Sequence, residues 1–474
     1  MARLYPFVIG GELVSPEHKV VVHSPFDGDP VGECGDATGL EVERAVEAAA
    51  AARAPMAALA GWQRSQALSE LENAVRTHQD EFADLMAAEA GKPISAASVE
   101  VKRALVTLRT AAEEAKRIGG TVEPLDVAPG AEDRWAIARR FPIGIIAGIT
   151  PFNFPLNLVL HKLAPAIASG NPIILKASPR APLCALRLGE MALGLNLPAG
   201  AVNVLSGGAE PAVQLCEHDR IAMVSFTGSA AVGWNLKARA ARKKVVLELG
   251  GNAANIVHSD ADLALAAERL VAGAFSYAGQ SCISVQRVLV HRAVYKDLRC
   301  RLLDRILQLR VGDPRDAATD VGPMINAEAA TRAFTWMQEA VAAGAQAACG
   351  MKRDGGFVWP TILENVPEQT SIWKEEAFAP VLLLRPYDSF DEALREANAS
   401  RYGLQAGVFT RDLNLAWRAF EHLEVGAVAL NEVSSWRMDP MPYGGVKDSG
   451  SGREGLRSSI EEMTELRVLL LHAR

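Results

Sequence analysis

The sequence predicts an α/β fold in which parallel sheets are covered by helices on both faces. Three observations predict it. The short apolar runs IGIIAGI (143–149), PIILKAS (172–178) and IAMVSF (221–226) have the length and composition of strands buried on both sides. Each is followed by a stretch with apolar positions at helical spacing. The alternation recurs through much of the 474-residue chain, and strand–helix repetition builds parallel sheets through right-handed crossovers.

In chain order, FVIGGELV (7–14) reads as two strands around a Gly10-Gly11 turn, a hairpin signal. Residues 40–118 are Ala-rich and helically periodic. Three helices are expected there, with Pro93 separating the last two. Residues 119–142 are polar, with a strand at 135–140. The first α/β series then runs strand 143–149, helix 155–169, strand 172–178, helix 182–195, strand 201–205, helix 210–217, strand 221–226 and helix 229–241. A second series starts near Val245. It holds VVLEL, NIVHS, helix 260–275, strand 285–291, helix 293–310 and strands at 381–386, 405–410 and 426–431. The final ELRVLLLH (465–472) reads as an apolar edge strand, and such an edge invites another chain.

Bulk properties exclude several classes. The net charge of −7 and the lack of a basic cluster leave no nucleic-acid footprint. No apolar run is long enough to cross a bilayer, and the N-terminus lacks the apolar core of a signal peptide. Cys34, Cys184, Cys216, Cys282, Cys300 and Cys349 form no CxxC pair. No metal site is therefore expected, and a reducing, cytoplasmic setting is the simplest reading.

Several stretches carry chemistry. FTGSAAVG (226–233) passes from a strand to a helix, where Thr227, Gly228 and Ser229 would offer bare amides and hydroxyls to an anion. An ordinary N-cap turn fits as well. SGGAEP (206–211), with Gly207, has the same character. LKAS places Lys176 at the C-terminal end of a strand, where open α/β sheets bind ligands. A lysine snorkelling to solvent is the alternative. LELGGN puts Glu248 in an apolar strand; buried, it would gain the pKa of a general base, and outward it would be inert. In ITPFNFPLN, Asn153 could serve an oxyanion hole or merely a turn. Cys282, after the small-residue loop of FSYAGQSC, is either a nucleophile or packing.

In the order TPFNFP, LKAS, FTGS, ELGG, FSYAGQSC, EEAFAP and PYGGVKDSGSGREG, these motifs make the chain resemble the aldehyde dehydrogenase superfamily over nearly its full length. The resemblance implies a Rossmann-like cofactor domain (1–118 and 138–246), an α/β catalytic domain (247–446) and a small β oligomerisation element (119–137 and 447–474). It implies Cys282 as nucleophile, Glu248 as general base and Asn153 as oxyanion amide beside the Cys282 N–H. Lys176 would hold the adenosine ribose and Ser229 the pyrophosphate. Glu376 and Phe378 would hold the nicotinamide riboside. Thr150, Phe152, Ser178, Gly207, Thr227, Gly228, Val232 and Leu249 complete the expected NAD or NADP contacts. An acidic residue that often follows the lysine in NAD-preferring members is here Pro179, so acceptance of NADP is expected.

The spacing of Arg287 from Cys282 and the WRMD–MPYGGVKDSG segment resemble the branch that includes lactaldehyde, phosphonoacetaldehyde and non-phosphorylating glyceraldehyde-3-phosphate dehydrogenases. Arg287, Arg437 and Arg103, with Phe154, are the candidates to recognise a small polar or anionic aldehyde. Each arginine could instead pair with a structural acid, Glu100 in the case of Arg103. A CoA-acylating enzyme, a Cys-dependent hydrolase and a silent cofactor-binding scaffold are the rival readings. The expected assembly is a homo-dimer or homo-tetramer.

Overall fold

The computed structural model describes residues 3–473. Five parallel strands form the centre of an eight-stranded sheet, in spatial order Lys244–Glu248, Ile221–Thr227, Ile145–Ile149, Ile173–Ala177 and Val202–Ser206. Their apolar runs are buried almost throughout, as strands covered on both faces must be. The hairpin Phe7–Ile9/Glu12–Val14 extends one edge. Gly10 and Gly11 both have positive φ (66° and 87°), which a two-residue hairpin turn of this hand requires.

Residues 40–118 fold as four helices, not three: Gly39–Ala58, Gly61–Thr77, Gln79–Ala90 and Ile94–Glu114. The extra break falls at His78, whose backbone (φ −112°, ψ 25°) leaves the helix with no glycine or proline to announce it.

A second sheet has seven strands in the order Gln346–Cys349, Thr361–Glu364, Val381–Tyr387, Arg287–His291, Ala254–Val257, Gln405–Phe409 and Ala427–Leu430. All neighbours are parallel except the first pair. Each large sheet has its own apolar core. A third, antiparallel sheet places Arg134–Pro142 between Gly120–Pro124 and Thr464–His472. Its outer strand carries exposed Leu466, Val468, Leu469, Leu470 and Leu471. A small N-terminal sheet of Leu4–Tyr5, Pro30–Gly35 and Lys19–His23 has no counterpart in the sequence expectations.

Of residues 447–474, only Thr464–His472 joins the third sheet. Gly450–Ser451 pairs with Lys244–Glu248 in the first sheet, and the helix Leu456–Glu462 packs on Asn157–Ser169. This return segment brings Tyr443 and Glu454 beside the end of the Glu248 strand. Among the described residues, no helix is long and apolar enough to cross a membrane.

Candidate active site

The helix Leu263–Phe275 ends in a left-handed turn. Tyr277 and Ala278 have φ of 50° and 53°, and Gly279 has 68°. Non-glycine residues there are strained, and such strain clusters at functional sites. A Cβ on Gly279 would stand 2.2 Å from the Ala379 carbonyl oxygen, so only glycine fits. The Gln280 side chain locks the loop, accepting from the Ile325 amide at 2.9 Å. Cys282 emerges half-buried, its Sγ 3.1 Å from the Tyr443 hydroxyl. Burial pushes its thiol up to about 12, while the Tyr443 hydrogen bond acts in the opposite sense.

Glu248 ends its strand at 2% exposure, and neither carboxylate oxygen has a hydrogen-bond partner among the described residues. Of the two orientations open to it, the structure has the inward one. Burial, then the nearby Glu454, raises its pKa well above the usual range; Arg437 and Lys162 pull it back. Glu454 is held by Lys162, whose ammonium donates to its Oε1 at 2.8 Å and also to Ser225 and Thr227. A poorly solvated carboxylate among fixed charges has the chemistry of a base.

Asn153 is buried. One N–H of its amide donates to the Gln280 carbonyl at 3.0 Å, which leaves the other for a ligand, and its Oδ1 is unpartnered.

The three arginines differ. Arg287 is 2% exposed and donates to the carbonyls of Asn252, Glu396 and Ala397. The last two sit at the C-terminus of the helix Phe390–Asn398, where unpaired carbonyls attract a cation. Its expected role in substrate binding is therefore corrected: it staples the loop after Glu248 to that helix. Arg103 makes a two-pronged pair with Asp439 (3.1 and 2.8 Å) rather than with Glu100, and its Nη1 has no partner among the described residues. Arg437 stacks over the Tyr443 ring at 3.7 Å. It reaches His161 at 3.4 Å and Glu454 at 3.8 Å, and its buried Nε is unpartnered among the described residues. The Phe154 ring stands 3.7 Å from the Lys92 ammonium and 5.8 Å from the Arg103 guanidinium.

Phe152 and Phe378 meet edge to face at 5.9 Å. Glu376 accepts from the Gly251 amide at 3.1 Å, and burial lifts its pKa to about 7. A Cβ on Gly250 would lie 2.3 Å from the Glu376 carboxylate, so a larger residue there would displace that side chain. Lys176 is buried at its strand end, with no hydrogen-bond partner among the described residues. Burial brings its pKa down to about 8. Ser229 is the N-cap residue of the helix Ala230–Arg239, and its side chain makes no cap hydrogen bond among the described residues.

A model of the family described as "Aldehyde dehydrogenase family" matches residues 13–469. The chain is 44% identical to a 3-sulfolactaldehyde dehydrogenase of Priestia aryabhattai over 471 residues, covering 99% of this chain and 98% of that one. The chain belongs to the aldehyde dehydrogenase family. Among solved structures, aldehyde dehydrogenase 21 of Physcomitrella patens, in complex with the reaction product succinate, superposes with a TM-score of 0.98. It is 41% identical, and the match covers 100% of this chain and 99% of that one. The NADP complex of a glyceraldehyde-3-phosphate dehydrogenase from Methanocaldococcus jannaschii gives a TM-score of 0.92 at 37% identity, covering 96% and 99%.

Two expected cofactor contacts of this aldehyde dehydrogenase need correction. The Gly228 amide is not bare; it donates to the Glu248 carbonyl at 3.1 Å. The Thr227 hydroxyl turns inward to Lys162. The free donors are Ser229 and the first-turn amides beyond it, where Val232 lies exposed. Ser178 accepts from the Arg180 amide at 3.3 Å, and Arg180 leans back over Phe152 at 6.0 Å. Thr150, Gly207 and Leu249 lie at strand ends or turns of the same sheet. Leu249 packs so close to the helix that a Cβ on Gly233 would meet it at 2.4 Å.

Sequence reasoning missed Tyr443, Lys162, Glu454, His161, Asp439 and Lys92. Tyr443 and Glu454 lie inside the quoted PYGG and SGREG motifs, so a signal was there. His161 and Lys162 stand in a helix buried along all its length, and two polar residues within an apolar helix are such a signal too.

Proposed function

We propose that this aldehyde dehydrogenase oxidises a short aldehyde with an anionic tail, about two to four carbons long, to its carboxylic acid. The observation that carries this reading is Arg437, stacked on the Tyr443 ring whose hydroxyl touches the Cys282 sulfur. A carbonyl at the sulfur would place an acidic tail one ring's breadth away, at a guanidinium with an unpartnered N–H. The free Nη1 of Arg103 would add a second donor. The relatives support the reading: one is named for sulfolactaldehyde, another holds succinate.

The groove suits a dinucleotide, since a buried ammonium and an uncapped helix N-terminus both lack partners. Lys176 would hold the ribose, Ser229 the pyrophosphate, Glu376 and Phe378 the nicotinamide riboside. Pro179 leaves no carboxylate to repel a 2′-phosphate, so both NAD and NADP should bind. When bound, the nicotinamide accepts a hydride from the carbonyl carbon.

The chain's own residues do the rest. Glu248, a strong base through burial, takes the thiol proton and the sulfur bonds to the carbonyl carbon. The oxygen gains the charge, met by the free Asn153 N–H and the Cys282 amide. As that oxyanion re-forms the carbonyl, the C–H bonding pair would leave as hydride and a thioester would remain on Cys282. Glu248, its proton released to solvent, then takes one from water; the hydroxide adds to the carbonyl, the C–S bond breaks and the thiolate regains a proton. A water-activating glutamate argues against transfer to CoA. The first sheet would form the cofactor domain, the second the catalytic domain, and the third the contact of a homo-dimer or homo-tetramer.

The test is a panel of anionic and neutral short aldehydes, each run with NAD and NADP, on wild type and Arg437→Met. The substitution should raise KM for anionic aldehydes more than tenfold and for propanal less than twofold. Equal effects on both would refute the anionic tail.

A further inference from the structure

We infer that Lys92 and Glu100 are positioning residues for the oxyanion amide of Asn153. The inference rests on the reading of Asn153 given above. Lys92 and Glu100 are 2% and 1% exposed and form an ion pair at 2.5 Å. The same ammonium donates to the Asn153 backbone carbonyl at 3.0 Å. The faces of Phe154 and Tyr277 flank it at 3.7 and 4.8 Å. The other carboxylate oxygen of Glu100 accepts from the amides of Leu156 and Asn157, at 3.0 and 2.9 Å, where the helix Asn157–Ser169 begins.

The pair thus grips the turn 153–157 from both sides, its carbonyl upstream and its amides downstream. Lys92 lies between the helices Gln79–Ala90 and Ile94–Glu114 and Glu100 within the second, both far from the turn in sequence. Stability alone does not account for them, because a buried ion pair contributes little over an apolar pair of the same shape. Their placement bears on geometry instead. One Asn153 N–H is tied to Gln280 and its Oδ1 is bare, so the backbone decides where the second N–H points. Oxyanion donors are sensitive to such placement, and a shift of about 1 Å costs roughly a hundredfold in rate.

A four-member cycle tests the inference in the full-length enzyme: wild type, Lys92→Met, Asn153→Ala and the double variant, each measured for kcat and for both KM values. Lys92→Met should lower kcat about 10- to 100-fold, with both KM values within about twofold. In the Asn153→Ala background it should change kcat by less than about twofold, because the group it positions is gone. The same fold loss in both backgrounds overturns the inference. An unchanged kcat for Asn153→Ala alone would instead overturn the oxyanion reading. Should circular dichroism show Lys92→Met unfolded, the cycle is run with Glu100→Gln, which leaves the lysine in place. Its loss of kcat must likewise vanish without Asn153, and additivity there is equally decisive against the pair.

Discussion

At the scale of single residues, two arginines show how context divides one side chain's uses. Arg287 spends its donors on backbone carbonyls of Asn252, Glu396 and Ala397, whereas Arg437 keeps one free beside the nucleophile. Arg287→Met should therefore cost about 3 kcal/mol of stability, from orphaned buried carbonyls, seen as a lower midpoint in denaturant. The KM ratio of anionic to neutral aldehydes should stay unchanged. The nucleophile makes a second prediction. Cys282 is pushed up to about 12 and Glu248 is raised as well, and in the proposed mechanism both act deprotonated. A raised pKa keeps the proton on until higher pH, so kcat/KM should climb through the mildly alkaline range. Tyr443→Phe removes the hydrogen bond that favours thiolate. The alkaline limb should then move up by about one pH unit, read from a pH–rate profile.

At the scale of elements, the loop between Phe275 and Cys282 decides where the sulfur sits. Three consecutive left-handed residues turn the chain sharply, and Gly279 passes against the Ala379 carbonyl. Gly279→Ala should displace Cys282 and lower kcat by more than tenfold, since misplacement of a reacting atom is costly. Intact cofactor affinity in the same variant, measured by fluorescence titration, would confine the damage to the loop. Most strands of both large sheets were legible to within a few residues because their apolar runs are interrupted by turn chemistry, but Gln346–Cys349 and Thr361–Glu364 were not, and VVLEL, read as opening the second series, lies in the first sheet. The break at His78 was not legible, for it lies in unbroken helical periodicity and is imposed by how the two helices pack.

At the scale of the whole molecule, the third sheet ends in an apolar strand with one open edge. Leu470 is 70% exposed, and its neighbours Leu469 and Leu471 are exposed with it. Such an edge pairs with another chain unless charge or cover blocks it. If the chain forms the homo-dimer or homo-tetramer proposed above through this strand, the double variant Leu469→Lys, Leu471→Lys should lower the molecular mass in sedimentation equilibrium, and an unchanged mass would count against the strand as the contact.

The order of its motifs was enough for the sequence to determine the family and the fold and to single out Cys282, Glu248 and Asn153 as candidates, because each motif is local and its residues are read in succession. Arg103, Arg287 and Arg437 could not be sorted that way. Their partners, Asp439, the carbonyls of Asn252, Glu396 and Ala397, and the ring of Tyr443, lie far off in the chain or across a turn, and only packing brings them together. The same holds for Glu248. Its strand says that it could be buried, but burial without a partner follows from the return of residues 443–454 across the sheet edge, a contact of long sequence separation that no local pattern records.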